Sequence, residues 1–231
     1  MKLYNYLSVL LFANTAFSAT VFTDRAAFNI AAARLGAIVT DGYESYPVAF
    51  LVGAQTLSLS RFNVSYVPGT GGSSDFGIQN VEDPSLGFGP TAGTNYIAAI
   101  FGAPTASMTF LFATPIIAFG TDIKDLEVAN LTYISSTGAT GIAAVPAANG
   151  VVQFFGIVGD GPFTSVAFTG TSVGSDGVFF DQTSFVVPEP STLILTALGA
   201  AIGLRSRRRK SRTSQILTEP RPSGSDAMTK N

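Results

Sequence analysis

The 231-residue sequence has no cysteine, no histidine and no tryptophan. Without cysteine there is no disulfide and no thiolate nucleophile or metal ligand, so packing and hydrogen bonding must hold the fold together. Without histidine the Ser-His-Asp and Cys-His nucleophile arrangements are excluded, as are histidine-ligated zinc and the side chain that ordinarily moves protons near pH 7. Enzymes that work with carboxylates alone, above all glycosidases, pass this filter. Without tryptophan, sugar stacking would have to fall to Tyr43, Tyr46, Tyr66 and Tyr96.

Charge is also scarce, at 12% of residues, and it is unevenly placed. Between Thr20 and Val187 four basic residues face twelve acids, a net charge near −8 that the overall −2 conceals. Clustered Lys and Arg are what a phosphate backbone requires, so this acidic segment excludes nucleic acid as a partner. No repeat of fixed period appears, which disfavours a solenoid or propeller.

The two ends of the chain differ from the middle. Lys2 precedes an apolar stretch reaching Phe17, and Ala16-Phe17-Ser18-Ala19 supplies small residues at cleavage positions, the pattern of a secretory signal peptide over residues 1–18. Near the other end, Pro188-Glu189-Pro190 is followed by an apolar run from Leu193 to Leu204. A basic cluster comes next, containing Arg205, Arg207, Arg208, Arg209, Lys210 and Arg212. Twelve helical residues would span roughly 18 Å of a hydrocarbon core of about 30 Å. The basic cluster resists translocation and marks a cytoplasmic end. A polar tail over residues 213–231, with Pro220, Pro222, Ser223 and Gly224, has the composition of a disordered segment.

Pro-Glu-Pro, a short apolar segment and an arginine cluster, in that order, closely resemble the PEP-CTERM sorting signal of exported bacterial proteins. The resemblance places the signal at residues 188–212 and makes Pro188, Glu189, Pro190, Arg205, Arg207, Arg208 and Arg209 its defining residues. It implies a membrane-embedded exosortase as partner and processing near the Pro-Glu-Pro. The protein would be transiently anchored in the inner membrane, then delivered to the cell surface or extracellular matrix of a Gram-negative bacterium. One departure is the tail, since the basic cluster usually ends such proteins.

Between the ends, residues 19–187 have the length of one domain. Asp24 before Arg25–Arg34 predicts one capped amphipathic helix, with Phe28 and Ile30 as apolar anchors and Gly36 near its stop. After it the pattern is one of strands. The stretch from Thr56 to Tyr66 predicts a strand pair or one bent strand, and Ser73 to Thr94 a long loop with at most a short strand. Seven apolar runs follow, starting at Tyr96, Met108, Ile116, Leu131, Val151, Val166 and Val178, with Gly, Pro, Asn or Asp between them. Their spacing predicts an all-β fold, an antiparallel β-sandwich of jelly-roll type with one short N-terminal helix. Met108, Phe110 and Phe112 should share the inward face, as should Val166 and Phe168. Pro115–Ile123 and Gly177–Phe185 also look like strands of PEP-CTERM cargo domains, which are similar to lectin-like or galactose-binding-like jelly rolls.

Three groups of acids offer chemistry. Asp122, Asp125 and Glu127 at a strand end present oxygen ligands of the kind Ca²⁺ takes, or else form a solvated edge beside Lys124. Asp75, Glu82 and Asp83 lie in the Gly-rich loop, where binding residues concentrate. Asp181 lies inside the last strand, where an inward carboxylate must be hydrogen-bonded or ion-paired; the expected role is to tie that strand to a loop, with calcium ligation the second reading. The expected role is that of a non-enzymatic interaction or structural module of the envelope, in contact with extracellular polysaccharide or biofilm. The competing expectation is a secreted hydrolase using carboxylates only.

Overall fold

The computed structural model describes residues 19–69, 75–83, 85, 87–101, 106–127, 130–170 and 176–188. The predicted signal peptide, Glu189, Pro190, the apolar run, the arginine cluster and the tail lie outside the described residues. The compact unit that contains the fold ends at Pro188.

Twelve strands and one helix are described. In chain order they are β1 (Ala19–Phe22), α1 (Arg25–Ala32), β2 (Ile38–Asp41), β3 (Ala49–Val52), β4 (Gln55–Ser58), β5 (Asn63–Val67) and β6 (Asp75–Gln79). There follow β7 (Tyr96–Phe101), β8 (Ser107–Lys124), β9 (Leu131–Ser135), β10 (Thr140–Ala144), β11 (Val152–Gly170) and β12 (Asp176–Val186). Every pairing is antiparallel.

Two long strands make this network a sandwich. The first half of β8 pairs with β5 and with the second half of β11, whereas its second half pairs with the first half of β11 and with β12. The β8–β11 register shifts between Val158 and Ser165, opposite Pro115, and there both strands pass from one layer to the other. Proline cannot donate to a ladder and is tolerated at such a break. The first layer runs β10-β9-β11-β8-β5-β4, and the second β1-β11-β8-β12-β7-β6-β3 with β2 beside the end of β12.

Alternation explains the first layer. Val64, Tyr66, Met108, Phe110, Val166, Phe168, Leu131 and Tyr133 are buried, while the intervening residues are exposed or half-buried. Rings from this layer meet rings from the other, Phe110 on Phe119 at 5.1 Å and Tyr133 on Phe155 at 4.7 Å between centroids. The second layer is covered on both faces, and β12 accordingly shows a nearly continuous buried run. Its outer face carries α1 in one part, over Ala118, Phe154 and Val186, and Phe88 of the 80–95 loop in another, over Phe179.

Helix α1 starts where the sequence places it, with the Asp24 carboxylate accepting from the Ala27 N–H at 2.7 Å. Phe28 seats over a glycine pair, Gly120 and Gly156, which face each other across β8 and β11. A methyl group at Gly156 would lie 2.7 Å from the Phe28 ring, so the pair forms the seat of the helix. Ile30 is no anchor, being 63% exposed. Phe28 and Ala32 are one turn apart and define the buried face, and two residues past Phe28 is about 200° around the helix.

Other expectations are refined. The Thr56–Tyr66 stretch is a strand pair, β4 and β5, closed by the Leu59 N–H donating to the Phe62 carbonyl. The Met108 and Ile116 runs are one strand, and the Val151 and Val166 runs are another. Strands β1, β2, β3 and β10 were not expected. The tyrosines are not platforms: Tyr43, Tyr66 and Tyr96 are fully buried, and the Tyr46 hydroxyl is engaged with Asp41 and Ser60. Burial pushes the Tyr66 and Tyr96 hydroxyls up to about 12, and they donate to the Ile100 and Val81 carbonyls.

Candidate functional site

The 80–95 loop is too polar to stay put by apolar contact alone, and carboxylates hold it. Asp181, 1% exposed on β12, takes the Thr91 N–H (2.7 Å), the Ala92 N–H (3.0 Å) and the Thr91 hydroxyl (2.9 Å) on one oxygen, and the Gln182 N–H (2.6 Å) on the other. The strand-to-loop tie expected of Asp181 is therefore present. Further along the loop, Glu44 accepts from the Thr94 N–H and hydroxyl, both at 2.7 Å, and from the Asn95 N–H at 2.9 Å. These donors, Asn95 foremost, hold the Glu44 carboxyl below its usual range. Asp83 folds the loop's own turn by accepting from the Ser85 N–H and hydroxyl.

Two other contacts bring this loop against the end of β8 and the 149–150 turn, and a third ties that turn to Asp125. The Lys124 ammonium donates to the Gly89 carbonyl at 3.1 Å, the Asn149 amide to the Ser85 carbonyl at 3.2 Å, and the Gly150 N–H to the Asp125 carboxylate at 2.9 Å. Gly87 sits between the last two side chains at φ +75°, and a β-carbon there would lie 2.0 Å from both the Asn149 and the Asp125 oxygen. Glycine is the residue that fits.

Between these segments lies an open cleft of about 370 Å³, lined by Glu82, Gly87, Phe88, Gly89, Pro90, Lys124, Asn149 and Gly150. A carboxylate, an ammonium and an amide surround a half-buried ring that is itself braced edge-on by Phe179 at 5.0 Å. Such a set can accept from and donate to hydroxyls while an apolar ring meets C–H groups.

Of the residues singled out in the sequence, Glu82 lines this cleft, Asp83 shapes its loop and Asp75 begins β6. Asp122, Asp125 and Glu127 go to three different places. Asp122 pairs with Arg25 at 2.7 Å and takes the Thr91 hydroxyl, while Asp125 takes the Gly150 N–H. Glu127 is exposed, with its N–H donated to Asp176. Among the described residues no group of three or more His, Cys, Asp or Glu side chains is placed to hold a metal ion. Phe88, Lys124 and Asn149 had drawn no functional reading, since they come from separate segments and only the fold brings them together.

The domain ends as β12 leads through Val187 into Pro188, the start of the Pro-Glu-Pro and basic-cluster pattern. Residues 186–210 match the model of the PEP-CTERM protein-sorting motif. The chain is thus an exported protein bearing a C-terminal sorting motif, which implies a membrane segment at that end. Among the described residues, no helix is long and apolar enough to cross a membrane. No curated protein matches the chain in sequence.

Among solved structures it is similar to the K2 cleaved adhesin domain of Lys-gingipain, at 12% identity and TM-score 0.42 over 65% of this chain and 99% of that one. It is also similar to the family 11 carbohydrate-binding module of the cellulase Lic26A-Cel5E of Clostridium thermocellum, at 10% identity and TM-score 0.35 over 59% of this chain and 96% of that one. A family 29 carbohydrate-binding module gives 8% and 0.33 over 62% and 94%.

Proposed function

We propose that this is an envelope or extracellular-matrix protein whose β-sandwich is a non-catalytic module in contact with extracellular polysaccharide, delivered by its sorting motif. The observation that carries the reading is the cleft of Glu82, Phe88, Lys124 and Asn149, which offers both hydrogen-bonding senses around a braced ring and suits a polyol. The hydrolase alternative would need two carboxylates with room between them for a sugar. Asp122 and Asp181 lie opposite each other on β8 and β12, and the space between them holds the Thr91 hydroxyl, 2.9 Å from each. Arg25 further neutralises Asp122, so neither carboxylate faces an open subsite.

Affinity electrophoresis through gels containing neutral polysaccharides tests the reading. Retardation of the exported protein is expected, with a loss of about tenfold in affinity on Lys124→Met, the equivalent of one charge-assisted hydrogen bond. Equal mobility in the presence and absence of every polysaccharide would overturn it.

Delivery is tested separately. An exosortase acting near Pro188-Glu189-Pro190 would leave a new C-terminus between Val187 and Thr192. The arginine cluster would stay behind, at an insertion cost of about 2.5 to 3.5 kcal/mol for each Arg or Lys. Mass spectrometry of the protein from an exosortase-bearing host should find that terminus. Intact chains ending at Asn231 would mean that residues 213–231 block processing or that the processing reading is wrong.

A further inference from the structure

We propose that the outer face of the first layer is a self-association surface that takes a second copy of this chain, sheet against sheet. The six strands present one cross-strand row from edge to edge, Thr56, Ser65, Thr109, Ala167, Ile134 and Thr140. In the four central strands their sequence neighbours, Val64, Tyr66, Met108, Phe110, Val166, Phe168, Tyr133 and Ser135, are buried, so the row faces out. The rows on either side contain Leu111, Val67 and Ile142 among serines, threonines and Asn63. None of the residues in these three rows carries a charge.

The placement of charge says what fits there. The twelve acids and four basic residues between Thr20 and Val187 all lie off this face, in loops, in α1, in the second layer or at the β8–β11 bend. With a net charge near −8, two copies meeting through other surfaces bring carboxylates within a Debye length, about 8 Å at physiological salt. This face contributes none. Hydroxyls also donate and accept alike, so a serine and threonine face complements itself about a two-fold axis, which a carboxylate face does not. The exposed apolar residues Leu111, Ile134, Val67 and Ile142, between 39% and 53% accessible, supply the area that association buries. No aromatic ring lies in the three rows, so the face offers a sugar ring nothing to stack on.

Size sets the strength. Six strands about 4.8 Å apart and five residues long cover roughly 24 by 17 Å, near half the 800 Å² per partner of a standard stable complex. The contact is therefore weak and reversible, with a Kd on the order of 100 μM, and it acts where copies are held at high local concentration.

Sedimentation velocity of the exported protein, from about 10 μM to about 1 mM, tests this. The expected result is a weight-average mass that rises with concentration in the wild type and in Ala26→Lys, a control on the exposed side of α1. Thr109→Lys and Ala167→Glu should each remain monomeric with unchanged circular dichroism, and an equimolar mixture of the two should associate again because opposite charges then meet. A wild type that stays monomeric throughout would overturn the proposal, as would association that neither charge disturbs. Polysaccharide retention lost on Thr109→Lys, without any self-association, would also overturn it by assigning the face to glycan.

Discussion

Replacing Phe110 by alanine is expected to cost the domain about 4 kcal/mol. Phe110 is fully buried, and its ring lies 5.1 to 6.0 Å from those of Phe119, Phe62, Phe168 and Phe180, which come from both layers. Removing it deletes the transfer energy of a whole aromatic side chain. It also leaves a cavity that cannot collapse, because the surrounding strands are fixed by pairing on both flanks. For a domain of this length the melting temperature should fall by roughly 10 °C. Leu111→Ala is the control. It sits on the same strand pointing outward, and its truncation should cost under about 1 kcal/mol. Equal losses at the two positions would mean that the two-layer core is misassigned.

The contrast between Phe110 and Leu111 also shows what the sequence made legible. Strict alternation through Met108, Phe110 and Phe112, and again through Val166 and Phe168, marks one wet and one dry face, and both sets are buried as expected. The Asp24 cap was equally readable because it depends on four neighbouring residues. Continuity of the long strands was not readable. Pro115 and Asp160-Gly161-Pro162 have the composition of turns, and only the pairing partner shows that the chain bends there and continues as a strand. Strand β10, Thr140-Gly-Ile-Ala-Ala144, dilutes its two β-branched residues with one glycine and two alanines, and it is recruited by pairing with β9.

The site was less legible than the fold, for a related reason. Tyr43, Tyr66 and Tyr96 have the composition of a sugar platform, yet each finds a partner for its hydroxyl inside the protein, so their large apolar area goes to the core. The cleft residues Glu82, Phe88, Lys124 and Asn149 are dispersed in sequence and meet because carboxylates elsewhere pin the loop that carries two of them. A sequence pattern can mark an acid as inward-facing, as it did for Asp181. It does not show which loop that acid will hold.

Asp181→Ala is accordingly expected to lower stability by about 3 kcal/mol at neutral pH, and to loosen the 80–95 loop more than any other part of the domain. The substitution removes four hydrogen bonds at once, leaving the part-buried Thr91, Ala92 and Gln182 N–H groups without their acceptor. Hydrogen exchange locates the effect, since those amides should lose protection before the β8–β11 ladder does. The pH dependence carries a further sign. Burial raises the Asp181 carboxyl above its ordinary range against the pull of its hydrogen bonds, so the folded domain keeps that proton to higher pH than the unfolded chain. Its contribution from titration is full below the ordinary carboxylate value and is lost as the pH rises through the raised one. Glu44 acts in the opposite sense, giving a contribution present above its ordinary value and lost as the pH falls through its lowered one. The loss caused by Asp181→Ala should therefore shrink as the pH rises from 3 towards neutrality, while that of Glu44→Gln grows. Denaturant melts of both variants across that range decide the matter: a neutral-pH loss under about 1 kcal/mol would show that Asp181 does not hold the loop, and parallel wild-type and Asp181→Ala curves would show that its carboxyl is not raised.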